Sequence, residues 1–120
     1  MSDSEILTIH DSVLLCDGDT CTMVKLCNVR YFETYGNYSQ IYFNSDKLII
    51  YRTLSHICSR LSDKYFFRAN RQYLLNLSHL DDICLLKNNT FRIVMNCGKT
   101  IDLSRRKSKA LKKKKCYKKR

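Results

Sequence analysis

The side chains best equipped for chemistry in this chain are seven cysteines, three histidines and a short run of forked donors and amides, Arg68, Asn70, Arg71 and Gln72. The cysteines stand at 16, 21, 27, 58, 84, 97 and 116, and no two form the C-x2-C pair usual at a zinc site. Cys16, Cys27, Cys58, Cys84 and Cys97 sit among apolar residues, which predicts small buried hydrophobes in a reducing compartment. His10, His56 and His79 are scattered, and no G-x-S-x-G, H-E-x-x-H or glycine-rich phosphate loop occurs in a chain with three glycines. The expectation is no metal, no cofactor and no enzymatic activity.

The polar run is different. From Tyr65 to Asn76 aromatic and aliphatic groups lie at both ends and would anchor the segment in a core, leaving Arg68, Asn70, Arg71 and Gln72 in the middle with no acid among them. A rigidly held loop of two arginines, an asparagine and a glutamine carries the side chains that read guanine and adenine edges in a major groove. The alternative is that Arg68 and Arg71 pair with Asp81 or Asp82. Charge favours the nucleic acid. The net charge is +11, yet residues 1–104 hold eleven bases and eleven acids, so the whole excess belongs to Arg105–Arg120, with eleven bases and no acid. Such a tail attracts a polyanion by counterion release and long-range steering. Within the body, residues 64–104 carry six bases against three acids, which places a binding face toward the second half.

The elements that must hold this loop read as strands. Turn signals recur at Asp17-Gly18-Asp19, Tyr35-Gly36-Asn37, Asn44-Ser45-Asp46, Lys87-Asn88-Asn89 and Asn96-Cys97-Gly98. Between them, segments rich in β-branched and aromatic residues predict eight strands: 12–16, 21–26, 29–34, 39–43, 47–51, 82–86, 90–96 and 99–103. Phe91, Ile93 and Met95 alternate with Arg92, Val94 and Asn96, the period of a strand with one buried face. Leu54, Ile57, Cys58 and Leu61 instead recur at helical spacing behind a Thr53 N-cap, with His56 off that stripe. A second helix is expected to start behind Ser104 and to fray in the lysine run. At 120 residues the chain is about one domain. Its longest apolar run is four residues, against the roughly twenty of a membrane span, and acids stand where a secretory signal has bases, so the expected location is the cytoplasm.

These residues resemble the LytTR DNA-binding domain of bacterial transcription regulators. Its signatures occur in order: Val29-Arg30-Tyr31-Phe32-Glu33-Thr34-Tyr35-Gly36-Asn37-Tyr38, the helix opening at Thr53-Leu54, Phe67-Arg68-Ala69-Asn70-Arg71-Gln72-Tyr73-Leu74-Leu75-Asn76, and Leu103-Ser104-Arg105-Arg106. The resemblance implies a mostly β fold, an elongated set of small antiparallel sheets with one or two short helices. Residues 1–11 then form an N-terminal arm, 12–111 the DNA-binding domain and 112–120 a polybasic tail. It also implies sequence-specific binding of double-stranded DNA by loops inserted into successive major grooves, in pairs on repeated sites. Asn37, Ser39, Asn70, Arg71 and Arg105 would contact bases, while Arg68, Gln72, Arg106, Lys107 and Lys109 would contact the backbone. Many members have histidine where Asn70 stands and serine near Gln72, so the bases recognised would differ. The family usually joins this domain to a phosphoacceptor receiver domain, for which 120 residues leave no room; in a longer response regulator it would lie upstream and answer to a kinase. The alternatives are a basic RNA-binding protein or a protein tethered to an anionic membrane by its tail.

Overall fold

Short β-branched and aromatic segments separated by tight turns fold into antiparallel hairpins, and the computed structural model describes residues 5–114 of this chain. The strands are β1 (Ser12–Asp17), β2 (Thr20–Lys25), β3 (Val29–Tyr35), β4 (Tyr38–Phe43), β5 (Asp46–Ile50), β6 (Phe66–Arg68), β7 (Tyr73–Asn76), β8 (Leu80–Leu85), β9 (Phe91–Met95) and β10 (Thr100–Asp102), with helices α1 (Leu54–Arg60) and α2 (Arg105–Lys112). The eight expected strands form. The pair β6–β7 comes in addition to them, because the segment carrying it has its polar residues in the middle and does not read as strands. Elongation is borne out by extents of 49 × 26 × 24 Å.

A five-stranded sheet of order β5-β4-β3-β7-β6 forms the centre, with the β1–β2 hairpin and a β10-β9-β8 sheet as separate units. Because successive side chains of a strand point to opposite sides, the central sheet feeds two cores. On one face Phe32, Ile41, Phe43 and Leu74 pack with Leu54, Ile57 and Leu61 of the α1 region and with Val24 of the hairpin. On the other, Tyr31, Phe67 and Leu75 pack with Ile93, Met95, Ile101, Leu103 and Leu111. Leu74 and Leu75, neighbours in β7, are both fully buried in opposite cores.

The helix caps follow the sequence. Thr53 accepts a hydrogen bond from the amide of His56 (3.1 Å) and Ser104 accepts one from that of Lys107 (3.2 Å). Ile57 is buried whereas His56 is exposed. Ile57→Ala is therefore expected to cost about 2 kcal/mol in denaturant unfolding, and His56→Ala well under half of that. Equal effects would refute this assignment of the helix faces.

A second interior contact is polar. Asn76 is fully buried at the end of β7. Its amide donates to the carbonyls of Val29 (2.9 Å) and Leu26 (3.4 Å), and its oxygen accepts from the amide (3.0 Å) and hydroxyl (2.7 Å) of Ser78. It ties β7 to the irregular start of β3, where the pairing with β4 shifts register between Val29 and Tyr31.

The cysteines depart from expectation. None of Cys16, Cys27, Cys58, Cys84 and Cys97 is buried, because each falls on an outward strand position, in a turn or on the rim of α1. Cys16 and Cys21 face each other across the β1–β2 hairpin and form a disulfide, so Cys16 is not the buried thiol expected. Residues 7–9, within the expected N-terminal arm, pack against the fold. The amide of Leu7 donates to the carbonyl of Arg60 (2.8 Å), the amide of Ser62 to that of Leu7 (2.7 Å), and Leu7 and Ile9 pack on the first core. At the other end Lys112 still belongs to α2 and the Lys114 ammonium reaches the carbonyl of Asp63. The fraying expected further along the lysine run, and Cys116, lie outside the described residues.

Candidate nucleic-acid interface

The loop between β6 and β7 is fixed by its own side chains. The Arg68 guanidinium donates through Nε to the carbonyl of Asn70 (2.7 Å) and through Nη2 to that of Arg71 (2.9 Å). The Asn70 side-chain oxygen accepts from the amides of Gln72 (2.8 Å) and Tyr73 (2.9 Å). The Ala69 amide donates to the Tyr73 carbonyl (3.0 Å), and the Thr34 amide to the Gln72 carbonyl (3.0 Å), joining the loop to β3. Arg68 thus staples the loop, and neither it nor Arg71 pairs with a carboxylate among the described residues. The ion pair that does form joins Arg92 to Asp102 across β9–β10 at 2.6 Å, holding the Asp102 carboxyl below its ordinary range.

Below the loop, Tyr73 continues into a polar cluster on the central sheet. Its hydroxyl donates to Glu33 (3.0 Å), and that of Tyr42 donates to the other oxygen of Glu33 (2.9 Å). Lys99 lies 4.7 Å from the Tyr73 ring centroid, and its ammonium is held above the usual lysine range chiefly by a hydrogen bond to Tyr73. Burial, then the bond to Glu33, pushes the Tyr42 hydroxyl well above the usual tyrosine range. The cluster braces the strand that emerges from the loop.

Three clefts connect the expected site residues. The largest, about 420 Å³, lies between the loop and the first turn of α2 and is lined by Asn70, Arg71, Ser104, Arg106 and Lys107, with Arg68 at its wall. A second, about 180 Å³, joins Asn37 and Tyr38 of the β3–β4 turn to Thr53 and Ser55, again with Arg68 at its wall. Gly36 adopts φ +61° in that turn, a conformation glycine tolerates, and this sets Asn37 at the exposed tip. Arg105 lies on the opposite flank of α2, in a third cleft of about 320 Å³ with Asn88, Asn89, Lys109 and Lys112.

The geometry therefore gathers Asn37, Asn70, Arg71, Arg106 and Lys107 around Arg68 and sets Arg105 and Lys109 to one side. Gln72 is exposed at the end of the loop. Ser39 is a correction. It is fully buried, and its hydroxyl donates to the carbonyl of Arg52 (2.9 Å), so it supports the turn instead of presenting a group to a partner. Arg68 is corrected in part, since its Nε and Nη2 donate to the loop backbone. Sequence reasoning missed Thr53, Ser55, Asn88 and Asn89 as site residues, which adjoin the site only through the fold; the helix opening at Thr53-Leu54 and the turn signal at 87–89 were the available pointers.

Comparison with known proteins bears on the fold and the family. The family model described as "LytTr DNA-binding domain" matches residues 19–115. The chain is 22% identical over 82 residues to the transcriptional regulatory protein YpdB of Escherichia coli, covering 68% of this chain and 34% of that protein. It is 26% identical over 107 residues to the sensory transduction protein LytT of Bacillus anthracis, covering 89% of this chain and 40% of that protein. The chain thus spans well under half the length of these relatives. In structure it is similar to the LytTr DNA-binding domain of a putative methyl-accepting/DNA response regulator from Bacillus cereus, with a TM-score of 0.73 and 20% identity over 85% of this chain and 94% of the other.

Proposed function

The chain belongs to the LytTr DNA-binding domain family, and from that membership and the geometry of its clefts we propose that it reads duplex DNA through loops as part of a transcriptional regulator. One observation carries the loop reading: the turn at Asn37 and the loop at Asn70 and Arg71 open into clefts that share Arg68 as a wall. Asn37, Asn70, Arg71 and Arg105 contact base edges in successive major grooves, while Gln72, Arg106, Lys107 and Lys109 contact phosphates and fix the register. Arg68 holds the loop in shape. Copies bind in pairs on repeated sites, in the cytoplasm, and the work is binding without catalysis. In a longer parent protein a receiver domain upstream would govern that pairing.

Selection of bound sequences from random duplex DNA tests this reading. The expected result is a repeated motif whose halves lie about one helical turn apart; no enriched sequence would sink it. The basic tail supplies a second test. Removing residues 115–120 deletes Lys115, Lys118, Lys119 and Arg120 and leaves α2 whole. Affinity should fall for all duplexes alike, and the slope of log K against log salt should become shallower by roughly 0.9 for each phosphate that the shortened chain no longer neutralises. An unchanged slope would mean that these bases do not meet DNA.

A further inference from the structure

Strand alternation places six of the chain's eight tyrosines on one face of the central sheet. Tyr31 pairs with Tyr42 and Tyr35 with Tyr38 across β3–β4, Glu33 pairs with Tyr73 across β3–β7, and the ring of Tyr51, just past β5, meets that of Tyr38 at 5.0 Å. Toward Tyr31 this face is covered by the second core. Toward the Asn37 turn the cover ends, and Tyr35, Tyr38 and Tyr51 are 52%, 46% and 54% exposed. Three contiguous exposed rings are a surface that marks a binding site more often than idle decoration.

What would occupy it follows from charge and position. Glu33 is the one acid that strand alternation places on this face, and both of its oxygens already accept from Tyr42 and Tyr73. Lys47 lies on the same face opposite Tyr42, and Arg52 is exposed beside Tyr51, donating to its carbonyl (2.9 Å). The patch is therefore neutral to basic, with hydroxyls that can donate to anions. It is also continuous with the cleft of Asn37 and Arg68, because Tyr38 lines that cleft.

We propose that Tyr35, Tyr38 and Tyr51, with Arg52, grip the sugar-phosphate backbone of duplex DNA beside the step contacted by Asn37. The proposal rests on the loop reading above and extends its footprint beyond the arginines and lysines. The hydroxyls donate to phosphate oxygens and the rings cover deoxyribose, contacts that position without selecting a base. A neutral hydroxyl displaces no condensed counterion, so the tyrosines add affinity without adding salt dependence, whereas Arg52 adds both.

The test is titration of the full chain, the Y35F/Y38F/Y51F variant and R52Q on a selected duplex and a scrambled one at several salt concentrations, with phosphate-ethylation interference on the selected duplex and sedimentation of the free protein. The conservative Phe substitutions keep every ring in place. The triple variant should bind both duplexes about tenfold more weakly with an unchanged salt slope, and interference at the phosphates flanking the Asn37 step should disappear. R52Q should make the slope shallower by about 0.9. Wild-type affinity in the triple variant would overturn the proposal while leaving the loop reading intact. So would self-association of the free protein that the triple variant abolishes, which would make the patch a contact between copies. Failure of the unmodified chain to prefer the selected duplex would overturn both readings.

Discussion

Asn76→Ala is expected to lower stability by about 3 to 5 kcal/mol, more than any other single truncation of a polar side chain in the described residues. The side chain is fully buried and uses both ends. Removing it strands the carbonyl of Val29, at 2.9 Å from the deleted donor, and the amide of Ser78, at 3.0 Å from the deleted acceptor. The stranded carbonyl of fully buried Val29 costs about 1 to 3 kcal/mol, the part-buried amide of Ser78 less, and a cavity adds to that. Asn76→Asp isolates the donor's share, because it keeps the acceptor but sets a carboxylate oxygen against two carbonyls. Ser78→Ala removes a hydroxyl from an exposed residue and should cost under about 1 kcal/mol. Denaturant unfolding measures all three. A loss below about 1 kcal/mol for Asn76→Ala would show that the joint between β7 and β3 does not depend on this amide.

Arg71→Lys should reduce discrimination between a selected duplex and a scrambled one by about 1 to 3 kcal/mol while leaving scrambled-site affinity nearly unchanged. Its neighbours give Arg71 this role. Arg68 and Asn70 spend donors and acceptors on the loop backbone, whereas Arg71 contributes its carbonyl to that staple and lines the open cleft with its side chain. Lysine keeps the charge and the steering but lacks the planar fork that fits guanine. Arg105→Lys should behave alike at a different base pair, since Arg105 occupies a separate cleft. A competition titration reads the ratio directly. An unchanged ratio in both variants would mean that these arginines meet phosphates only, whatever the fold.

The fold was legible wherever local chemistry and tertiary demand coincide. Gly36, Asn44 and Asn89 take positive φ in three of the turns read from sequence, and Thr53 and Ser104 cap the two helices as their positions suggest. The β6–β7 hairpin was hidden because its turn carries bases and amides, and its strands, at three and four residues, are too short to show alternation. The cysteines misled for a related reason. Cys16 has apolar neighbours in sequence, but in a strand only alternate residues share a face, and Leu15 takes the inward position while Cys16 points out. Within the site, residue type identified Arg71 but could not separate a reader from a brace. Arg68 is the same side chain three positions earlier, turned inward onto carbonyls that only the folded loop supplies.

The opposed burial of Leu74 and Leu75 also determines where this chain can change length during evolution. A residue inserted or removed within β7 would exchange the two side chains between cores and undo both at once. An insertion at 17–19, 44–46 or 96–98 only enlarges a hairpin tip that faces solvent. Length changes are therefore tolerated at those tips, while β7, four residues long, sets the frame of the two strands it pairs with, β3 and β6.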